Sequence, residues 1–260
     1  MDFENIKLAI TDQVATITLN KPERLNACSL GMADDIYTAL DLLEDARAVV
    51  ITGEGRAFCA GADLQSKNDS PVKGGEASYA ALNQHYNPLM LKLARLNIPT
   101  ITAVNGPAAG VGCSIALASD FAIAGKSAYF LQAFVNIGLV PDGGASWMLA
   151  RLVGKARATE MMMLGEKIPG EKAADWGLVY KCVEDDALMQ EAITLAKRLA
   201  AGPTVALGVM RQNLAKALES GYAAALLTEA EGQRIAGNSK DAREGAMSFL
   251  QKRKAEFKGE

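Results

Sequence analysis

Residues 105–118, Asn-Gly-Pro-Ala-Ala-Gly-Val-Gly-Cys-Ser-Ile-Ala-Leu-Ala, constrain this chain more than any other stretch. They follow an apolar, β-prone run at 98–104 and open into a helix of small residues that reaches Asp120. A strand with no polar alternation has to be covered on both faces, which points to a sheet with helices packed on it. The first turn of the helix leaves backbone N–H groups without intrahelical acceptors. Gly110 and Gly112 carry no side chain to hold a ligand away from that backbone. The stretch therefore suits an anion, or an oxygen that becomes anionic during a reaction. As plain architecture it is a tight strand-to-helix turn against a sheet. It is neither a phosphate loop, which needs Gly-Lys-Ser/Thr, nor a GxGxxG dinucleotide fingerprint.

The preceding chain reads as strands alternating with helices. Residues 8–19 alternate around Asp12-Gln13, the pattern of a β-hairpin. Ser29 is placed to cap a helix running to about Glu44, with Met32, Ile36, Leu40 and Leu43 as its apolar stripe. Residues 48–52 form a short buried strand, and 58–64 hold a second glycine turn leading towards a helix start. The span 68–75 is the most polar loop. Beyond the glycine helix, strands are expected at 120–124 and 128–132, then a loop at 136–144 that opens a helix through Leu152. From about Asp186 the texture is helical only: 188–200, 204–219, 222–236 and 241–257. A soft boundary at Ala-Gly-Pro203 divides a core of residues 1–200 from a helical region of 201–260. Apolar residues on more than one face of those last helices suggest a subunit contact, or a cap on the same core.

Composition closes off several function classes. Half of the 260 residues are apolar and 22% are charged, with a formal net charge of −3, so no excess of basic residues invites nucleic acid or a membrane surface. No apolar run approaches the roughly 20 residues needed to cross a bilayer, and the start, Met-Asp-Phe-Glu-Asn, has no signal pattern. Cys28, Cys59, Cys113 and Cys182 lack metal-type spacing and read as reduced thiols of a cytoplasmic protein. His85 is the one histidine, in a helix-like stretch, so a Ser-His-Asp triad or a multi-histidine metal site would have to centre on it. The chemistry available is that of carboxylates and backbone amides.

Three features can supply it: Ala60-Gly61-Ala62-Asp63, Gly110-Val111-Gly112 and Pro141-Asp142-Gly143-Gly144. Two turns offering amides can clamp one carbonyl oxygen while a carboxylate moves a proton, although spacing alone does not bring the turns together. Over essentially its full length the chain resembles the enoyl-CoA hydratase/isomerase (crotonase) family. The residues that carry this are Asn20-Lys-Pro-Glu-Arg-Leu-Asn-Ala27, Gly55-Arg-Ala-Phe-Cys-Ala-Gly-Ala-Asp-Leu64 and 99–118 with Ala103-Val-Asn-Gly106. Ser119-Asp-Phe-Ala-Ile-Ala124, 138–144, Gly165-Glu-Lys-Ile and Ala174-Asp-Trp-Gly-Leu-Val179 continue it. The resemblance implies an α/β spiral of ββα repeats with an α-helical C-terminal region that builds trimers or pairs of trimers. It also implies acyl-CoA thioester substrates and an oxyanion hole made by the amides of Ala62 and Val111; with no metal-ligand cluster, a single histidine and no dinucleotide fingerprint in the sequence, no metal or redox cofactor is expected.

Hydratases of this family use two glutamates, and the matching positions here hold Ser114 and Phe134. Asp142 stands where isomerases of the phenylacetate-pathway type carry an acid/base aspartate; its other possible role is to cap the helix after Gly143. Around the substrate the resemblance places Ala60, Leu64 and Gly110, with Asp63 as a cap or loop anchor rather than a base. Arg24, Lys252 and Lys258 are candidates for the CoA phosphates, and Phe130, Phe134 and Trp147 for the wall of an acyl pocket. An apolar setting of Phe134, Val140 and Trp147 is expected to raise the pKa of Asp142. The leading expectation is an isomerase acting on a 3-enoyl-CoA or a ring epoxide of phenylacetyl-CoA. A hydratase or lyase using Asp142 with water, and a non-catalytic acyl-CoA-binding subunit, are the alternatives.

Overall fold

The computed structural model describes residues 2–63 and 73–260. Its first two strands, β1 (Ile6–Thr11) and β2 (Val14–Leu19), pair antiparallel from Thr11↔Val14 to Ile6↔Leu19. The turn between them needs two left-handed residues, and Asp12 and Gln13 take φ of 51° and 61°. Ser29 caps α1 (Leu30–Ala39), its Oγ accepting from Met32 N at 3.1 Å. The helix ends five residues short of the expected Glu44, but Met32, Ile36, Leu40 and Leu43 are all buried.

β3 (Ala48–Gly53) follows, then α2 (Gly75–Ala81), a π turn at Leu82–Tyr86 and α3 (Asn87–Arg95). The helix start expected after Asp63 and most of the polar 68–75 loop lie outside the described residues. β4 (Thr100–Val104) leads through β5 (Pro107–Ala109) into α4 (Val111–Leu117), then β6 (Phe121–Gly125) and β7 (Tyr129–Leu131). A 3-10 turn at Ala133–Ile137 precedes α5 (Ala145–Leu152), α6 (Gly154–Leu164), β8 (Ile168–Pro169), α7 (Gly170–Asp175) and β9 (Lys181–Val183). The chain closes with α8 (Leu188–Ala200), α9 (Thr204–Ala217), α10 (Tyr222–Gly237) and α11 (Lys240–Leu250).

Six strands form one sheet in the order β1-β2-β3-β4-β6-β9, parallel from β2 onwards, and β5, β7 and β8 form a second. Alternate residues of the parallel strands feed two cores, as the period of two requires. Val49 and Ile51 point to the side holding Met32, Ile36, Leu89 and Leu93. Ala48 and Val50 point to the other, which α8 covers with Leu188, Ala192, Ala196 and Ala200. Three alanines in that stripe let the helix lie close to the sheet. Both faces of β3 and β4 are thus buried, which is why these strands carry no charged residue and their threonines, Thr52, Thr100 and Thr102, are buried.

The helices after residue 200 are tied to this body. Arg47 donates to Thr204 Oγ1 (2.7 Å), Phe257 O (3.1 Å) and Gly202 O. Arg211 reaches Asp120 Oδ2 at 2.6 Å and the Leu96 carbonyl. The last expected helix, 241–257, stops at Leu250, because Lys252 turns left-handed (φ 52°) and the tail folds back so that Lys258 N and Gly259 N reach the Asp241 carboxylate.

Candidate active site

The C-terminal ends of β3 and β4 run into two turns that the structure lays side by side. Cys59 pairs with Ala108 in an isolated parallel bridge, with Cys59 N donating to Pro107 O at 3.0 Å and Ala109 N to Cys59 O at 2.9 Å. Ala62 and Val111 each lie three residues beyond that bridged pair, Ala62 in the turn after Cys59 and Val111 at the start of α4. Two asparagines, Asn26 buried and Asn105 half-buried, hold the approach. Asn26 Nδ2 donates to Glu54 O and Ala57 O, at 2.9 and 2.8 Å, and Asn105 Nδ2 donates to Gly53 O and Gly55 O, at 2.9 and 2.8 Å.

Close contact between the turns explains the glycines. A Cβ on Gly112 would stand 2.4 Å from Cys59 O, closer than any side chain tolerates. Gly110 has φ 52°, and its missing Cβ would lie 3.7 Å from Gly61 Cα and 3.6 Å from the Phe134 ring. Gly110 N is taken by Leu131 O and Ala60 N by Leu25 O. Among the described residues no group accepts from Ala62 N or Val111 N. Two neighbouring turns therefore each leave an amide free, the arrangement that stabilises a carbonyl oxygen as it gains negative charge.

Asp142 is the carboxylate brought to this place. Gly143, the residue after it, packs on Ser114 Cβ and Val111 Cγ2. Ser114 Oγ donates to the Asp142 carbonyl at 2.9 Å, which Ala145 N also reaches at 3.1 Å. The side chain does not cap α5: the cap position is Gly144, and no side-chain cap bond is made. Asp142 Oδ1 is buried and, among the described residues, unpartnered. Burial pushes its pKa up from 3.8 to about 6. The expected source of that burial needs correcting, since Val140 is 81% and Trp147 39% exposed.

The remaining expected residues separate into two sets. Phe134 is buried with its ring against Gly110. Asp63 is ion-paired with Arg24 at 2.9 Å, next to the Ala62 turn, so both stay at the site's edge. Leu64 lies outside the described residues. Trp147 faces outward with Arg151 stacked 4.0 Å over its ring, and Phe130 is wholly within the core. Lys258 is far away within the chain, in the tail beside Arg47, which precedes β3. Lys252 is an exposed residue just past α11. His85 bonds Asp34 at 2.8 Å, and the four cysteines are free, three of them buried with burial raising the thiol pKa.

The sequence pattern of the enoyl-CoA hydratase/isomerase family matches residues 9–260. The chain belongs to that family. Among its relatives, 1,2-epoxyphenylacetyl-CoA isomerase of Escherichia coli (strain K12) is 41% identical over 249 residues, covering 95% of each chain. A probable enoyl-CoA hydratase of Rhodobacter capsulatus is 40% identical over 260 residues, with both chains fully covered. An enoyl-CoA hydratase subunit structure from Geobacillus kaustophilus HTA426 superposes with a TM-score of 0.92 at 34% identity, again over the whole of both chains. The crotonase fold expected from the sequence is thus the fold of this protein. The free amides of Ala62 and Val111 lie on the turns that the family resemblance marks out.

Proposed function

We propose that this protein is an acyl-CoA isomerase in which Asp142 is the sole acid/base. The thioester oxygen of a 3-enoyl-CoA accepts hydrogen bonds from Ala62 N and Val111 N. Asp142 takes a proton from C2, the electrons move into an enolate held by the two amides, and the proton returns at C4. The double bond moves to C2, and the carboxylate is regenerated with no atom gained or lost. A ring epoxide of phenylacetyl-CoA rearranging to an oxepin is the second candidate substrate, and the name of the Escherichia coli relative favours it.

The observation that carries this reading is the orphaned Asp142 oxygen, buried and bonded to nothing described. Its pKa of about 6 suits a group that gives and takes a proton near neutrality. The relative from Rhodobacter capsulatus is named a hydratase, but hydration needs one group to activate water and another to deliver a proton. Here the Ser114 hydroxyl is spent on the Asp142 carbonyl and Phe134 has no polar atom. The proposal includes a homotrimer or pair of trimers in the cytoplasm, and turnover without metal or redox cofactor.

Incubation with 2-enoyl, 3-enoyl and ring-epoxide CoA thioesters in the presence of a chelator, followed by mass and ultraviolet spectra, tests it. A product of unchanged mass and altered spectrum is expected from the 3-enoyl or epoxide substrate. A product heavier by one water from the 2-enoyl substrate alone would replace the isomerase reading with a hydratase.

A further inference from the structure

Tyr86 is a buried phenol that the chemistry above does not use. It ends the π turn Leu82–Tyr86, a wider coil than the α-helix that re-aims side chains and recurs at functional sites. The turn sends His85 to Asp34 and Tyr86 inward, where it is 6% exposed. Tyr86 Oη donates to Cys28 O at 2.7 Å. The same carbonyl accepts from Asp63 N at 3.0 Å, while Cys28 N donates to Gly61 O at 2.7 Å. Residues 61 and 63 are therefore pinned to Cys28 on either side of Ala62, whose own N–H points away from this bridge. Burial, with smaller contributions from Cys28, Cys59 and the Asp142 carboxylate, holds the phenol protonated, so it remains a donor.

We propose that Tyr86 is a positioning residue of the oxyanion hole, its hydroxyl fixing the Cys28 carbonyl and through it the direction of the Ala62 N–H. The inference rests on the acyl-CoA reading of the site. An oxyanion donor works only when held about 2.7–3.1 Å from where the charged oxygen will be, and a misplacement of about 1 Å can cost about a hundredfold in rate. Without the hydroxyl, Cys28 O retains Asp63 N alone, and the short 61–63 edge loses the contact that ties it to the helical layer.

Tyr86→Phe keeps the ring and removes the hydroxyl. The expected result is a kcat lower by about tenfold with KM nearly unchanged, because the amide matters most once the oxygen is charged. The thioester C=O stretch of bound butanoyl-CoA, read by difference infrared, should move back towards its value in water. Ser239→Ala, which removes the N-cap of α11 away from the site, controls for lost stability and should leave that stretch unmoved. Tyr86→Met, which fills the space without a donor, must reproduce the effect and replaces the phenylalanine variant if that one does not fold. A wild-type shift that these variants retain, at wild-type kcat, overturns the role of Tyr86 alone. A wild-type protein that leaves the bound C=O at its aqueous frequency overturns the proposed hole, and this inference with it.

Discussion

Asp142 makes no side-chain cap to α5, its Oδ1 is buried without a partner among the described residues, and its backbone is fastened by Ser114, so the carboxyl is held in place at a cost in desolvation. Asp142→Asn preserves the shape and removes the base; kcat should fall by about 10²–10⁴-fold in steady-state assays, with KM little changed. The raised pKa sets the pH limb. The base form is lost as pH falls through about 6, so wild-type kcat/KM should drop about tenfold per pH unit below that point. The same shift has a stability consequence of definite sign. A carboxyl whose folded pKa lies above its unfolded value penalises the folded protein above about 6 and not below 3.8. Asp142→Asn should therefore raise the melting temperature near pH 8, and the gain should vanish as pH approaches about 4. An equal gain at both pH values would mean that something other than the buried charge is being relieved.

At the scale of elements, the two turns meet because α4 can slide under Cys59. Gly112→Ala places a Cβ 2.4 Å from the Cys59 carbonyl, so either the bridge to Ala108 or the first turn of α4 must shift. Chemical unfolding should register a loss of about 1–3 kcal/mol, and kcat should fall in the folded protein because the Val111 amide moves with the turn. Much of this layer is legible in the sequence. The Asp12-Gln13 hairpin, the Ser29 cap, the buried strand at 48–52 and the helix at 188–200 each announce themselves through local chemistry or periodicity. The second sheet does so only in part: β7 falls within the strand expected at 128–132, while β5 and β8, of three and two residues, are too short to carry a period. The site as an assembled object does not. Cys28 with Ala62 and Cys59 with Ala108 are pairings across 34 and 49 residues, which no local signal encodes. Family resemblance supplied the two amides, but the inward turn of Tyr86 depends on one irregular helical turn and left no trace in the pattern.

Across the whole molecule, polar anchors and apolar surface fall on opposite sides of the last helices. Arg47 bonds Thr204 at the start of α9, Arg211 of α9 reaches Asp120, and a Cβ on Gly208 would meet Asn97 O at 2.3 Å, so α9 lies directly on the core. The outer side of the last helices exposes Met210, Leu214, Leu218, Tyr222, Leu226, Leu227, Phe249 and Leu250. Apolar residues in such number, close in sequence and left uncovered, are what a subunit interface presents before assembly. With Leu227 at 75% and Phe249 at 83% exposure, neither contributes to the fold of the single chain. Charged replacements there should leave the circular dichroism unchanged while burying a charge in any interface, at a cost the interface cannot offset. Leu227→Asp combined with Phe249→Asp should therefore shift the sedimenting species from trimer or hexamer to monomer at micromolar concentration. A wild-type protein that already sediments as a monomer there would remove the trimer from the proposal. Because Ala62, Val111 and Asp142 all belong to one chain, such a result would leave the proposed chemistry standing.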